Sequence, residues 1–174
     1  MIHLTQADYT RQPWKNGKGV TVELARADPD GAMLWRLSMA TVAEDGPFSI
    51  FPGIERNLTV LSGPGFRLSG DGIALDCRPL RPVAFAGDIA VSAVDTKGQT
   101  STDFNVMTAR SLPLPQVAVT QGPQDLPAGG LIAAFAPDKA TVNGRTLAQH
   151  DLLMTEGPLS VTAGPVLTVR ILGL

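Results

Sequence analysis

The sequence predicts an all-β protein, and three observations carry that prediction. Eighteen glycines and fourteen prolines are scattered through 174 residues, which leaves little room for helices and suits short strands joined by turns. Between these breaks, apolar and polar residues alternate with the period of two expected of half-buried strands. No stretch of about a dozen residues keeps a clean helical period. A β-sandwich or barrel architecture built from around a dozen strands is the expectation.

The elements follow in order. Val20, Val22 and Leu24 alternate with Thr21, Glu23 and Ala25 in a first long strand. "ADPDGA" is a turn, and "MLWRLSMATV" a second strand with Leu34, Arg36, Ser38 and Ala40 on one face and Trp35, Leu37 and Met39 on the other. "EDGPFSIFPGIE" reads as a long connection anchored by its phenylalanines and isoleucines. "RNLTVLSG" is a strand, and "GPGFRLSGDGIALDCRP" a hairpin turning at Gly70-Asp71-Gly72. "PVAFAGDIAVSAV" holds two short strands around Gly87-Asp88. In "STDFNVMTAR", Phe104, Val106 and Thr108 lie opposite Asp103, Asn105 and Met107. After the proline-rich "SLPLP" come four more strand segments, one a hairpin turning at Asn143-Gly144.

The composition removes several function classes. Hydrophobic residues make up 44% of the chain, charged residues 17%, and the net charge is −2. With no basic block and no aromatic-basic interleaving, the footprint of a nucleic-acid binder is missing. A single cysteine, Cys77, rules out an intrachain disulfide and a cysteine-cluster metal site. No apolar core of signal-peptide length opens the chain, and no run approaches the ~18 apolar residues of a membrane span. A cytoplasmic protein without a membrane partner is expected.

The stretch "RQPWKNGKGVTVELA" holds the densest local signal. A phosphate loop would need a strand before it, a helix after it and a Gly-Lys-Ser/Thr ending, and none is present. A turn explains Asn16, Gly17 and Gly19, because Asn-Gly suits positive φ, with Trp14 covering the core edge. Lys15 beside the tryptophan fits snorkelling or one wall of a binding site.

Separated motifs add to this reading: "PWKNGKG" (13–19), "WRLSMATV" (35–42), "DGPFSIFPGIER" (45–56) running into "LTVLSG", then "FAGD" (85–88) and "DFNVMTAR" (103–110). In this order and spacing the chain resembles the HutD/Ves family of the cupin superfamily, small proteins linked to bacterial histidine utilisation. The resemblance is strong over residues 1–110 and rests on β pattern beyond. It implies a double-cupin (bicupin) fold. Residues 1–110 would form the first half with the ligand pocket, 111–174 a smaller second half, and the two one compact unit. It also implies a small carboxylate ligand, N-formyl-L-glutamate being the favoured candidate, and a role in governing the pathway with no established catalysis. Lys18 departs from the family pattern, standing where relatives commonly carry a third glycine.

Metal-dependent cupins use His-x-His, a Glu and a later His. This chain has only His3 and His150, so a metal-free barrel without cofactor is expected. A carboxylate pair, Asp103 with Glu55, remains as a weak Mg or Ca alternative. No nucleophile elbow is present, and Cys77 has no basic neighbour to activate it.

A pocket for a small dianion needs cations suited to planar carboxylates, amide or hydroxyl donors and an apolar wall. Arg36 and Arg56 are the candidate cations, although either could instead pair internally with Glu23, Glu55 or Asp103. Lys15 and Asn16 would reach over the mouth, and Trp14 would form the wall. Ser38 shares a face with Arg36, and Asn105 is a candidate ligand contact. Asp103 would repel an anion and is assigned to orienting an arginine. Alternatives are a metal-free isomerase or lyase using Lys15 and Asp103, and a structural or stress-associated interaction protein. Exposed sheet edges make a homodimer a possible assembly.

Overall fold

The structure is a computed structural model and describes residues 1–14 and 19–174. The strands run β1 (Ile2–Leu4), β2 (Thr10–Pro13), β3 (Val20–Ala27), β4 (Trp35–Val42), β5 (Gly46–Pro47), β6 (Ile54–Ser62) and β7 (Phe66–Gly70). They continue with β8 (Ile73–Cys77), β9 (Val83–Ala86), β10 (Val91–Val94), β11 (Ser101–Ala109), β12 (Gln116–Thr120) and β13 (Gln124–Leu126). The last are β14 (Leu131–Phe135), β15 (Ala140–Val142), β16 (Arg145–Leu147), β17 (Leu152–Thr155), β18 (Leu159–Ala163) and β19 (Val166–Ile171). One 3-10 turn, Pro29–Gly31, falls in the expected "ADPDGA" turn. Among the described residues no helix is long and apolar enough to cross a membrane.

The fold is all-β, as expected, with more strands than the sequence suggested. Those missed are short: β1, β2, β5 and β13 have two to four residues each, too few to show a period of two. The chain divides into two compact units, Thr10–Arg110, and Met1–Tyr9 with Ser111–Leu174. Residues 1–9, counted with the first half from sequence, belong to the other unit because β1 pairs antiparallel with β17, Ile2 opposite Met154.

Each unit is built from two sheets closing on one apolar core. In the 10–110 unit, a six-stranded sheet of order β2-β3-β4-β11-β6-β9 and a four-stranded sheet of order β5-β10-β7-β8 share it. Leu58 and Val60 from the first sheet meet Phe66, Leu68, Val91 and Ala93 from the second. Gly87 and Asp88 separate β9 and β10, which enter different sheets; the segment is a corner, not a hairpin. In the other unit the sheets are β1-β17-β14-β19-β12 and β13-β18-β15-β16. Ile132, Ala134 and Leu153 of one pack on Val142, Leu159 and Val161 of the other. The hairpin between β15 and β16 turns at Asn143 (φ 49°) and Gly144 (φ 69°), both positive as a two-residue primed turn requires.

Candidate functional site

The site forms because β4, β11 and β6 are adjacent and in register. Arg36 lies opposite Met107, and Met107 opposite Arg56. One step along, Ser38, Asn105 and Leu58 align, and beyond them Ala40, Asp103 and Val60. Side chains of every second residue share a face, so both arginines, Ser38, Asn105 and Asp103 look into the same barrel. A cavity of about 360 Å³ opens there, lined by these five, Trp14, Thr21 and, from the strap Pro47–Phe51, every residue but Ile50. Six of the eight candidate residues named from sequence therefore line one cavity; Lys15 and Asn16 lie outside the described residues.

Arg56 is its most constrained cation, 8% exposed. The guanidinium lies over the rings of Phe48, Phe51 and Phe85, with its carbon 5.4, 5.3 and 5.0 Å from their centroids. It donates to the Ser49 carbonyl at 3.3 Å and to Asn105 Oδ1 at 3.2 Å. Nε has no hydrogen-bond partner among the described residues. Burial lowers its pKa to about 10, against the opposing pull of Asp103, so it stays charged at neutral pH.

Asn105 bridges Arg56 to Asp103, donating from Nδ2 to Asp103 Oδ1. Its amide can face only one way, since a guanidinium only donates and an ionised carboxylate only accepts. Asp103 is 1% exposed, and Oδ2 has no partner among the described residues. Burial raises its pKa to about 7, a rise that the Asn105 hydrogen bond and the Arg56 charge only partly offset. Asp103, assigned from the sequence to orienting an arginine, reaches Arg56 through Asn105.

Arg36 realises the other expected alternative and pairs internally. Its Nε lies 3.2 Å from Glu23 Oε2, close enough to pair as charges, although neither atom has an aligned hydrogen bond among the described residues. Glu23 also sits 3.6 Å from Arg26, which bonds Asp28 at 2.8 Å. Burial lowers the Arg36 pKa, and Glu23 opposes that shift.

Trp14 forms part of the wall, its indole N–H donating to Thr21 Oγ1 at 2.9 Å. The ring lies on Gly19, where a Cβ would approach it to 2.8 Å; glycine at this position leaves room for the indole.

Glu55 is not beside Asp103. It lies opposite Thr108, five positions along β11, and accepts from Arg110 at 2.7 Å. Arg110 also contacts Asp88 at 2.5 Å, and Asp88 accepts from the Gly53 N–H at 2.7 Å. Gly87 approaches so closely that a Cβ would sit 2.7 Å from the carbonyls of Phe51 and Ile54. The motifs "FPGIE", "FAGD" and "TAR" thus converge to hold the strap carrying Phe48 and Phe51. Those two rings were expected as core anchors together with Ile50; Ile50 is 53% exposed. Their three-residue spacing between prolines was the available signal, but their packing on Arg56 depends on where the strap closes.

Metal chemistry finds a poor donor set in this cavity. Among the described lining residues Asp103 is the one carboxylate and there is no imidazole, with two guanidiniums alongside. Among the described residues no three His, Cys, Asp or Glu side chains gather to hold an ion. The Asp103–Glu55 alternative falls with the placement of Glu55. Cys77 is buried, and burial pushes its thiol up to about 12.

The fold and site define a two-barrel cupin whose first barrel holds an arginine-lined cavity. The wider fold recurs in the "Cupin 2 conserved barrel domain protein" of Leptotrichia buccalis at 10% identity, covering 88% of this chain and 89% of that one with a TM-score of 0.56. The HutD family model matches residues 6–166, and the chain belongs to the HutD family. The structure of HutD from Pseudomonas fluorescens SBW25 is 33% identical, covers 99% of both chains and has a TM-score of 0.87. An "Uncharacterized 21.2 kDa protein in hutC 3'region" of Pseudomonas putida is 44% identical over 111 residues, 61% of this chain and 57% of that relative's length. The match therefore spans little more than half of that curated relative.

Proposed function

We propose that this protein is a non-enzymatic binder of small carboxylates that senses or governs histidine catabolism, with N-formyl-L-glutamate or a similar dianion as its ligand. The supporting observation is electrostatic. Two guanidiniums line one cavity, and burial lifts the pKa of Asp103, the one carboxylate among its described lining residues, to about 7. Among the described residues nothing accepts the Arg56 Nε–H, and its three aromatic neighbours form a dry surround in which a charge-assisted hydrogen bond contributes about 1.5–3 kcal/mol. The cavity volume falls in the range of small-molecule sites. The names of the relatives, one a HutD and one encoded near hutC, favour a ligand from that pathway.

Calorimetric titration of EDTA-treated protein with N-formyl-L-glutamate, glutamate and urocanate tests this. Saturable binding of formylglutamate is expected, weakened tenfold or more (about 1.4 kcal/mol) by Arg56→Ala. No heat from any of the three, with divalent metals absent or restored, overturns the reading.

The same raised carboxyl favours a second reading, a metal-free isomerase or lyase with Asp103 as acid or base, since such groups work best with a pKa near neutrality. Exchange of a ligand carbon-bound proton in D₂O, followed by NMR and lost in Asp103→Asn, would establish it over simple binding.

A further inference from the structure

Charge balance around Asp103 carries the inference. The described charged groups that face this cavity or stand behind its wall are few. From β4 comes Arg36, matched by Glu23 of β3; Arg26, behind Glu23, is matched by exposed Asp28. From β6 comes Arg56, linked through Asn105 to Asp103 on β11. From β8 come Cys77, held as a thiol by burial, and Asp76, which is exposed and paired with Arg78 and with Arg67, the latter also meeting Asp95. The strap, Pro47–Phe51, carries no charged side chain and contributes the Ser49 carbonyl and the Phe48 and Phe51 rings to Arg56. With Asp103 ionised, positive and negative charges balance among these described groups, and a buried anion would bring an unmatched negative charge into a desolvated space. With Asp103 protonated, Arg56 carries one unmatched positive charge.

We propose that Asp103 sets the charge this cavity accepts: an anion settling on Arg56 is balanced by one proton taken up from solvent at Oδ2 of the Asp103 carboxyl. The geometry selects that oxygen. Oδ1 accepts from Asn105, whereas Oδ2 is buried and lacks a partner among the described residues. Asn105 makes the coupling short-range. Its Oδ1 is held by Arg56 and its Nδ2 by Asp103, so a ligand that draws the guanidinium away also disturbs the carboxylate's one hydrogen bond. A buried carboxylic acid kept neutral beside a bound anion is an established way to use such a group. Asp103 is thus a specificity-determining residue, rejecting anions when ionised. The inference rests on the carboxylate-binding reading and deepens it.

Linkage fixes the sign. Burial places the empty-cavity carboxyl near 7, so below that pH the proton is already present and affinity is flat. Above it the proton must be taken up on binding, and affinity falls by about tenfold per pH unit. The test titrates the full chain with N-formyl-L-glutamate and with glutarate from pH 5.5 to 8.5, in buffers of different ionisation enthalpy. The expected result is weakening above neutrality, close to one proton absorbed per ligand at pH 8, and loss of both effects in Asp103→Asn. Carbon-13 NMR of the Asp103 carboxyl, expected to titrate near neutrality when empty and higher with ligand, reads the same coupling without a variant. Binding that is equally tight across the range, or a carboxyl that titrates identically with and without ligand, overturns the proton coupling and leaves the carboxylate binder standing. No binding of either compound at any pH overturns both.

Discussion

Two units of similar construction, each a pair of antiparallel sheets around one core, treat their interiors in opposite ways. Residues 111–174 and 1–9 enclose Ile132, Ala134, Leu153, Leu159, Val161 and Val166, all buried and aliphatic. Residues 10–110 also bury aliphatic side chains, Leu58, Val60 and Leu68 among them. In register with Leu58 and Val60, however, they place Ser38, Asn105 and Asp103 on the inward face, with Arg36 and Arg56 beside them, and a cavity results. Barrel architecture alone therefore does not make a site. Polar side chains on inward positions do, because directional hydrogen bonds keep them from closing ranks as aliphatic side chains do, and here Arg56 Nε and Asp103 Oδ2 are left without partners among the described residues. Polar residues outside the cavity serve a different end: Glu55, Asp88 and Arg110 form an exposed ion-pair group that fastens the strap.

The largest test of that contrast lies in the filled unit. Leu153 is fully buried, and Leu153→Ala should lower unfolding free energy by about 2–5 kcal/mol, measured by denaturant titration. A loss well under 1 kcal/mol would mean that this interior is loosely packed and the contrast false.

A smaller effect, of opposite sign, is expected at Asp103. Its folded pKa, about 7, exceeds the ordinary value of 3.8, so between those values the folded chain holds a proton that the unfolded chain releases. Stability from this group is then greatest below pH 4, declines from pH 4 to about 7 and levels off above. Asp103→Asn should remove that decline, and its stability relative to wild type should rise from pH 4 towards neutrality, by up to about 1.4 kcal/mol per pH unit. Parallel pH profiles for the two proteins would show that the carboxyl is ionised in the folded cavity at neutral pH.

Gly19→Ala should give the smallest change. The added methyl would press on Trp14, at a cost of about 1 kcal/mol, and shift the indole off the cavity wall. Tryptophan fluorescence should report the displacement; an unchanged spectrum in Gly19→Ala would show that the wall does not depend on this contact.

Much of this was legible in the sequence. Alternation in "WRLSMATV" and "DFNVMTAR" put Arg36 with Ser38 and Asp103 with Asn105, because a side-chain period of two follows from the extended backbone itself. Turn chemistry located the Gly70-Asp71-Gly72 and Asn143-Gly144 hairpins, since those residues tolerate positive φ. What could not be read was partnership across the chain. Arg36 pairing with Glu23 requires β3 beside β4, and Arg56 reaching Asp103 only through Asn105 requires the β6–β11 register. The attachment of residues 1–9 to β17 was equally invisible. The sequence by itself determined which residues face the same way along each strand, a property of local backbone geometry. Tertiary structure alone decided which strands became neighbours, how deeply Asp103 was buried and thus where its proton is held, because pairing and desolvation arise only when distant segments exclude water together.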